Sequence, residues 1–441
     1  MTTDTIAALA TPVGRGGIGV VRVSGSQVSH IAQTMLSKLP SPREATFTYF
    51  KDEQGTILDQ GIALYFPAPH SFTGEDVLEL QGHGGVVVMD QLLNAILALG
   101  ARLARPGEFS ERAFLNGKID LTQAEAIADL IDSTSVQATR CALRSLQGDF
   151  SQSIRKVVEE LTWLRTYVEA SIDFVDEEIN LLADGQVLVR IRSLVTQLED
   201  ISSKAYQGFL LKEGMHIVLV GEPNVGKSSL LNCLAGRETA IVTSIPGTTR
   251  DIIREQIHIN GMPVHIIDTA GLRDTDDEIE QEGMRRTHQA LGEADLVILL
   301  LDDRHLTDNN LLLAELPTTL SLIIRNKIDL TGHSPGLSDN GVLYLSAHTG
   351  EGVDALRAYL QERMGLHNDT EGDFMARRRH LDALHLTEAA LTRGLRYASS
   401  ATSELLAEEL RQAQRTLGEI TGEFTTEDLL GNIFSSFCIG K

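Results

Sequence analysis

The sequence predicts a multidomain α/β plus α protein, and three features carry that prediction. Residues 1–118 mix short β-rich runs with glycine turns, the texture of a small α+β domain. Residues 119–213 and 370–441 show long helical periodicity and read as two halves of one helical bundle domain. Between them, residues 214–369 alternate nearly all-apolar runs with helical stretches. Strands buried on both faces lose the in/out alternation of half-exposed ones, so this insertion reads as a doubly wound, mostly parallel sheet. At 441 residues the chain also exceeds what one hydrophobic core usually organises.

The elements follow in order. Gly19–Val23 and Val77–Leu80 read as strands and Val86–Leu99 as a helix. Gly14, Gly16 and Gly19 have the spacing of a dinucleotide fingerprint, but they lead into a strand where that motif needs a helix, so NAD and FAD are excluded there. Leu143, Leu146, Phe150, Ile154, Val157, Leu161, Leu164, Val168, Ile172 and Val175 recur at steps of three or four, one face of a long helix. In the insertion, His216–Val220, Val264–Ile267, Leu296–Leu301, Leu320–Ile324 and Val342–Leu345 are the apolar strands. Arg254–Ile259 and Met262–Ile267 flank Asn260 and Gly261, a pair suited to a tight hairpin, which adds an antiparallel edge strand. After Gly372 helical texture returns through Leu381, Leu384, Leu405, Leu410 and Leu417.

Composition narrows the function classes. No apolar run reaches the ~18 residues of a membrane span, and Met1–Ala10 lacks the basic start and apolar stretch of a secretory signal, so a cytoplasmic protein with no membrane partner is expected. Cys141, Cys233 and Cys438 lie far apart without metal-type spacing, which argues against disulfides and zinc. The net charge of −23 repels nucleic acid at long range, so an RNA must meet a local basic patch or arrive with a partner. The one dense basic cluster, Arg377, Arg378, Arg379 and His380, reads as a solvated helix face in preference to a phosphate contact.

The insertion carries the chemistry. Gly221, Glu222, Pro223, Asn224, Val225, Gly226, Lys227 and Ser228, followed by Ser229, sit directly after an apolar strand and before the helical run Leu230–Ala235. That is a phosphate-binding loop: glycines let backbone N–H groups curl around phosphates at a helix N-terminus, Lys227 neutralises the β and γ oxygens, and the Ser228 hydroxyl suits Mg²⁺. Asp268, Thr269, Ala270 and Gly271 end the next strand, where a carboxylate can hold Mg²⁺ through water and a glycine N–H can meet the γ-phosphate. Asn326, Lys327 and Asp329 end a later strand; a carboxylate there accepts from guanine N1 and its amine, donors that adenine lacks. Ser346, Ala347 and His348, after the last strand, fit a backbone contact to the guanine oxygen. Four such elements in order define a guanine-nucleotide site.

Hydrolysis is less ordinary. Ile241–Asp251, with Thr243, Ser244, Ile245, Pro246, Gly247, Thr248, Thr249 and Arg250, is placed to order around the γ-phosphate, with Thr249 on Mg²⁺. Leu272 follows Gly271 where Ras-like proteins carry a water-orienting glutamine, and leucine cannot do that job. Asp274, Asp276, Asp277, Glu278, Glu280 and Glu282 offer carboxylates to replace it, although a solvated acidic first helical turn explains most of them. Arg250 and Arg273 are nearby, but spacing marks neither as an arginine finger. The Asn224 amide could instead hold a cation beside the phosphates.

Gly221–Ser229, Gly247–Asp251, Asp268–Arg273 and the C-terminal Phe437, Cys438, Ile439, Gly440, Lys441 resemble the MnmE (TrmE) family, GTPases of tRNA wobble-uridine modification. The likeness extends to Ala10–Gly19 and Arg105–Asp120 and covers the whole chain. It implies an N-terminal folate-binding domain that also forms a homodimer, a helical middle domain and an inserted Ras-like GTPase domain. It implies K⁺-stimulated hydrolysis, with K⁺ on Asn224, Thr243, Ile245 and Thr248 when two GTPase domains meet, and Glu280 orienting the water; with Lys227 and Asn224, Glu280 makes the catalytic set. It implies a tetrahydrofolate derivative held by Arg22, Glu79, Lys118 and Lys441 that supplies a one-carbon unit. Read from the residues alone, Arg22 in its apolar strand and Glu79 between leucines are equally a structural ion pair. The resemblance further implies a flavoprotein partner, MnmG, and an aminomethyl or carboxymethylaminomethyl group added at uridine C5.

Cys438 matches a prenylation box by position, yet Gly440 and Lys441 are poor final residues for one. Its place suggests a role near the folate and tRNA chemistry, against the alternative of a small buried thiol. The rival to an RNA-modifying enzyme is a GTP-switched RNA or ribosome-assembly binding module, which the nucleotide motifs alone do not exclude. A membrane-remodelling GTPase would need a basic or strongly amphipathic face, which the sequence lacks.

Overall fold

A computed structural model describes residues 4–173, 185–235, 254–259, 262–268, 291, 294–305, 321–363, 374–399, 402–424 and 426–440. Two compact units emerge: residues 1–132, 143–198 and 382–441 form one, residues 133–142 and 199–381 the other.

The first unit opens with β1 (Ile6–Leu9), β2 (Gly19–Ser24), α1 (Val28–Leu36), β3 (Thr46–Lys51), β4 (Ile57–Phe66), β5 (Val77–Gly82), α2 (Val86–Ala98) and β6 (Arg102–Leu103). Their sheet runs β3-β4-β5-β2-β1-β6, antiparallel except for β1 beside β6. Strand alternation sorts its faces. Val21, Val23, Leu78 and Leu80 join Ile31, Met35, Leu92 and Ile96 of the two helices in one core. Ile6 and Ala8 pack instead with Ala104 and Phe109, the latter on α3 (Glu108–Leu115).

Helices follow: α4 (Leu121–Asp132), α5 (Val136–Gln147), α6 (Asp149–Asp173) and α7 (Gln186–Glu213). The single long helix expected through Leu143 and Phe150 is two. Gly148, at φ +97°, ends α5 in the left-handed conformation that closes a helix, and its N–H bonds the Arg144 and Ser145 carbonyls. Phe150, Ile154, Val157, Leu161, Leu164 and Val168 of α6 are all buried, whereas Leu143 is exposed. Val175 lies outside the described residues. The chain closes with α10 (Arg378–Ser399), α11 (Ser403–Thr421) and α12 (Glu427–Ser435). On α11 the buried face is Leu406, Leu410, Ala413, Leu417 and Ile420, against α6; Leu405 sits one position out of that phase and is exposed.

The second unit holds β7 (Met215–Val220), α8 (Lys227–Ala235), β8 (Arg254–Ile259), β9 (Met262–Asp268), β10 (Leu296–Asp302), β11 (Ser321–Asn326), β12 (Gly336–Leu337), β13 (Val342–Leu345) and α9 (Val353–Arg363). The sheet order is β12-β13-β11-β10-β7-β9-β8. Its five central strands are parallel and both edges antiparallel, a doubly wound sheet with the expected edge strand β8. The Asn260–Gly261 turn itself lies outside the described residues. The short edge β12 escaped sequence reading because two residues carry no period. The basic cluster is a solvated face only in part: Arg378 is exposed, with its guanidinium 5.0 Å from the Phe209 ring centroid, whereas His380 is 2% exposed and its Nδ1 accepts the Arg377 N–H at 3.1 Å. Among the described residues no helix is long and apolar enough to cross a membrane.

Candidate functional site: a guanine-nucleotide site and a polar island

Strand order explains the first site. β7, β10, β11 and β13 are parallel neighbours, so the loops at their carboxyl ends meet on one edge of the sheet, where open α/β sheets bind ligands. The loop after β7 runs from Gly221 into α8 through Asn224 at φ +66° and Gly226 at φ +103°. A Cβ at Gly226 would collide with Nδ2 of Asn326. Only glycine lets the loop close against β11.

Asn326 is the pin. It is 2% exposed; its Nδ2 donates to the Val225 carbonyl at 2.8 Å, and its Oδ1 accepts from Ala347 N at 2.9 Å and Lys327 N at 2.8 Å. One side chain thus ties the phosphate loop to both expected guanine-contacting loops. Lys327, at φ +73°, donates its ammonium to the Asn224 carbonyl and to Asp302 Oδ2, each at 2.8 Å. Buried Ser346 donates to Asp329 Oδ1 at 2.6 Å and fixes an exposed carboxylate, while Ala347 is buried and His348 exposed. Lys227 Nζ donates to the Gly221 carbonyl at 2.8 Å, and Ser228 and Ser229 are exposed in the first turn of α8. The arrangement suits a triphosphate at the α8 N-terminus, a divalent cation on an exposed hydroxyl, and a base with two adjacent donors facing Asp329.

Sequence reading missed Asp302 and Arg304. The Arg304 guanidinium meets Asp302 through both oxygens, at 3.0 and 2.7 Å. Those bonds, ahead of the one from Lys327, hold the Asp302 carboxyl far below the usual carboxylate range. An Asp-Asp pair closing an otherwise apolar strand was the available signal. Asp268 ends β9 as expected. Thr243, Ser244, Ile245, Pro246, Gly247, Thr248, Thr249, Thr269, Ala270, Gly271, Leu272 and Glu280 lie outside the described residues.

The second site is on the first unit. Arg22 and Glu79 face each other across β2 and β5 and pair at 2.8 Å, about one-fifth exposed. Arg22 Nη1 also donates to the Gly440 carbonyl at 3.1 Å, and its guanidinium lies 5.8 Å from the Phe109 ring centroid. The tail arrives there because Phe434 and Phe437 pack with Leu121 and Ala124, and because Gly440, at φ +95°, lies against the Leu9 carbonyl. Lys118 does not join this group; its ammonium donates to the Pro69 carbonyl at 2.9 Å. Lys441 lies outside the described residues. Cys438 is exposed, which removes the buried-thiol alternative.

The comparisons bear on both sites. Residues 5–118 match the model described as GTP-binding protein TrmE N-terminus, and residues 121–438 that of the MnmE helical domain. The tRNA modification GTPase MnmE of Methylococcus capsulatus is 58% identical over 442 residues, covering 99% of each chain. That of Pectobacterium atrosepticum is 58% identical over 451 residues, covering 100% of this chain and 99% of its own. Among solved structures, the G domain of the T. maritima FeoB iron transporter aligns with 34% of this chain and 96% of its own, at 27% identity and a TM-score of 0.27. A phosphate loop pinned by Asn326 to the loops after β11 and β13, in a chain matched end to end by tRNA modification GTPases, defines a tRNA modification GTPase, an enzyme that hydrolyses GTP. The chain belongs to the MnmE family.

Proposed function

We propose that this chain hydrolyses GTP to drive addition of an aminomethyl or carboxymethylaminomethyl group at C5 of the wobble uridine of certain tRNAs, acting in the cytoplasm as a homodimer with a flavoprotein of the MnmG kind. On this reading the chain has an N-terminal folate-binding domain over residues 1–118, a helical domain over 119–213 and 370–441, and a GTPase domain over 214–369. Ser228 and Thr249 hold Mg²⁺. Asn224, Thr243, Ile245 and Thr248 hold K⁺ when two GTPase domains meet, and Glu280 orients the water in place of a Ras-type glutamine. The exposed Asn224, its carbonyl fixed by Lys327, suits a cation ligand.

The supporting observation is the polar island at the tail. A half-buried guanidinium and carboxylate stand with the Gly440 carbonyl beside them and the Phe109 ring 5.8 Å from the guanidinium. A carboxylate there can accept from the ring N–H and amine of a pterin, so Arg22, Glu79 and the tail toward Lys441 suit a tetrahydrofolate that supplies a one-carbon unit. Lys118, held on Pro69, would have to change partner to join them.

Reconstitution tests the reading. Incubated with tRNA, GTP, a tetrahydrofolate one-carbon donor and the flavoprotein, the chain should yield a uridine of increased mass on nucleoside analysis. No product should form with a non-hydrolysable GTP analogue or without the folate. Equal product without the folate would refute the one-carbon role.

A further inference from the structure

An open cavity of about 740 Å³ lies between α6, α11 and the start of α12. It has the size of a nucleotide or small-ligand site and no place in the reading above. Arg165, Arg411, Arg415 and Phe424 line it, along with Gln414, Glu419 and Thr426. Arg165 is aimed: it donates to Gln414 Oε1 at 2.7 Å, and Gln414 in turn donates to Thr162 at 2.9 Å. Arg411 is exposed and pairs at 2.9 Å with Glu408, while Arg165 meets Glu169 at 3.3 Å. The Arg411–Glu408 pair is exposed and screened by solvent, and the contact of the part-buried Arg165 with Glu169 is long, so both arginines can exchange a carboxylate for a phosphate. The Arg415 side chain forms no hydrogen bond or ion pair with any described residue. The Thr426 hydroxyl accepts from Leu429 N and caps the α12 N-terminus, which adds partial positive charge at the same wall.

Phe424 supplies the other half. Its ring lies on Gly418 so closely that a Cβ there would come within 2.5 Å of Cδ2, yet the residue is 49% exposed. Glycine inside a helix is destabilising relative to alanine. Here it makes room for an aromatic ring, seated against the helix through Cδ2 and Cε2, that stays about half exposed. A fixed ring beside arginines is the composition that recognises an unpaired base and its phosphate.

We infer that this cavity binds an unpaired nucleotide of the tRNA, its base stacked on Phe424 and its phosphate on Arg165, Arg411 and Arg415. It rests on the tRNA-modification reading of the family and gives an acidic chain, of net charge −23, the local basic contact it needs.

The test uses the full chain and fluorescence anisotropy with tRNA, an anticodon stem-loop RNA and a fully paired duplex of equal length, across a salt series. Phe424→Leu should weaken tRNA and stem-loop binding ~5–100-fold, the range of one lost base stack, and leave duplex binding unchanged. Arg415→Ala should weaken binding and lower the log–log salt slope by about one. Lys156→Ala, which removes an exposed charge elsewhere on α6, should change affinity little. Unchanged far-UV circular dichroism and unfolding midpoint report that each variant is folded, and Phe424→Tyr, which keeps the stacking face, should retain binding. The inference is overturned by equal losses in Lys156→Ala and Arg415→Ala, by equal losses on duplex and stem-loop, or by a wild-type chain that binds no RNA. Unaltered RNA affinity in both cavity variants, with loss only of association to a partner protein, also overturns it.

Discussion

Truncating Asn326 should cost the protein its nucleotide affinity, although Asn326 is pinned between loops and the guanine would face Asp329. Asn326→Ala deletes a donor to the buried Val225 carbonyl and an acceptor for Ala347 N, at 2.8 and 2.9 Å. Each orphaned buried group costs ~1–3 kcal/mol, so the variant loses about 2–6 kcal/mol of the interaction that aligns the two loops. At 1.4 kcal/mol per decade, even the lower figure is about 30-fold in affinity. Asn326→Asp retains an acceptor for Ala347 N but sets an oxygen and a buried charge against the Val225 carbonyl, so it should be no milder. Titration of the full chain with a fluorescent GDP analogue gives both numbers. Dissociation constants within ~3-fold of wild type for both variants, with an unchanged unfolding midpoint, would refute the pin.

Three further outcomes follow from the same geometry. Asp302→Asn keeps shape but weakens the hold on Lys327, so GTP KM should rise ~10-fold with kcat nearly unchanged, as expected for a charge-assisted bond of ~1.5 kcal/mol; a fall in kcat alone would contradict a positioning role. Burial pushes the Glu108 carboxyl up, but hydrogen bonds from Arg102, from Arg105 N–H and from Arg112 outweigh it and bring it from the ordinary 4.5 to about 2. A depressed folded-state pKa stabilises at high pH: Glu108 contributes fully above pH 4.5, and that contribution fades as pH falls toward 2. Glu108→Gln should flatten the dependence of the unfolding midpoint in that window, and an unaltered slope would count against the network. Finally, Gly440→Ala puts a Cβ at φ +95° into the Leu9 carbonyl and should lift the tail from Arg22, weakening folate binding and exposing the terminus to carboxypeptidase; unchanged digestion and affinity would contradict tail docking.

Much of this was legible in the sequence where chemistry demands a fixed local pattern. Gly221–Ser228 and Asn326–Asp329 announce themselves because phosphate curvature and guanine donors tolerate few alternatives, and the almost wholly apolar β10 and β7 announced a sheet buried on both faces. Periodicity served less well where one residue changes the path. Gly148 breaks a helix whose apolar spacing continues across it, and Leu405 and Leu406 are indistinguishable until the helix phase is known. Long-range pairing was invisible: no local signal joins Arg22 to Gly440, or Lys327 to Asp302, because both meetings are made by topology. The seating of Arg378 on Phe209 was likewise hidden, since a charge run looks solvated until an aromatic neighbour is found.

We propose GTP hydrolysis in this chain as a cation-dependent step tied to folate-supplied chemistry. The most direct measurement is GTP turnover by one preparation in KCl and in NaCl, with tetrahydrofolate binding measured on the same sample. Turnover should be several-fold faster in KCl, together with bound folate. Equal rates in both salts, with no folate bound, would contradict it and leave only the GTPase.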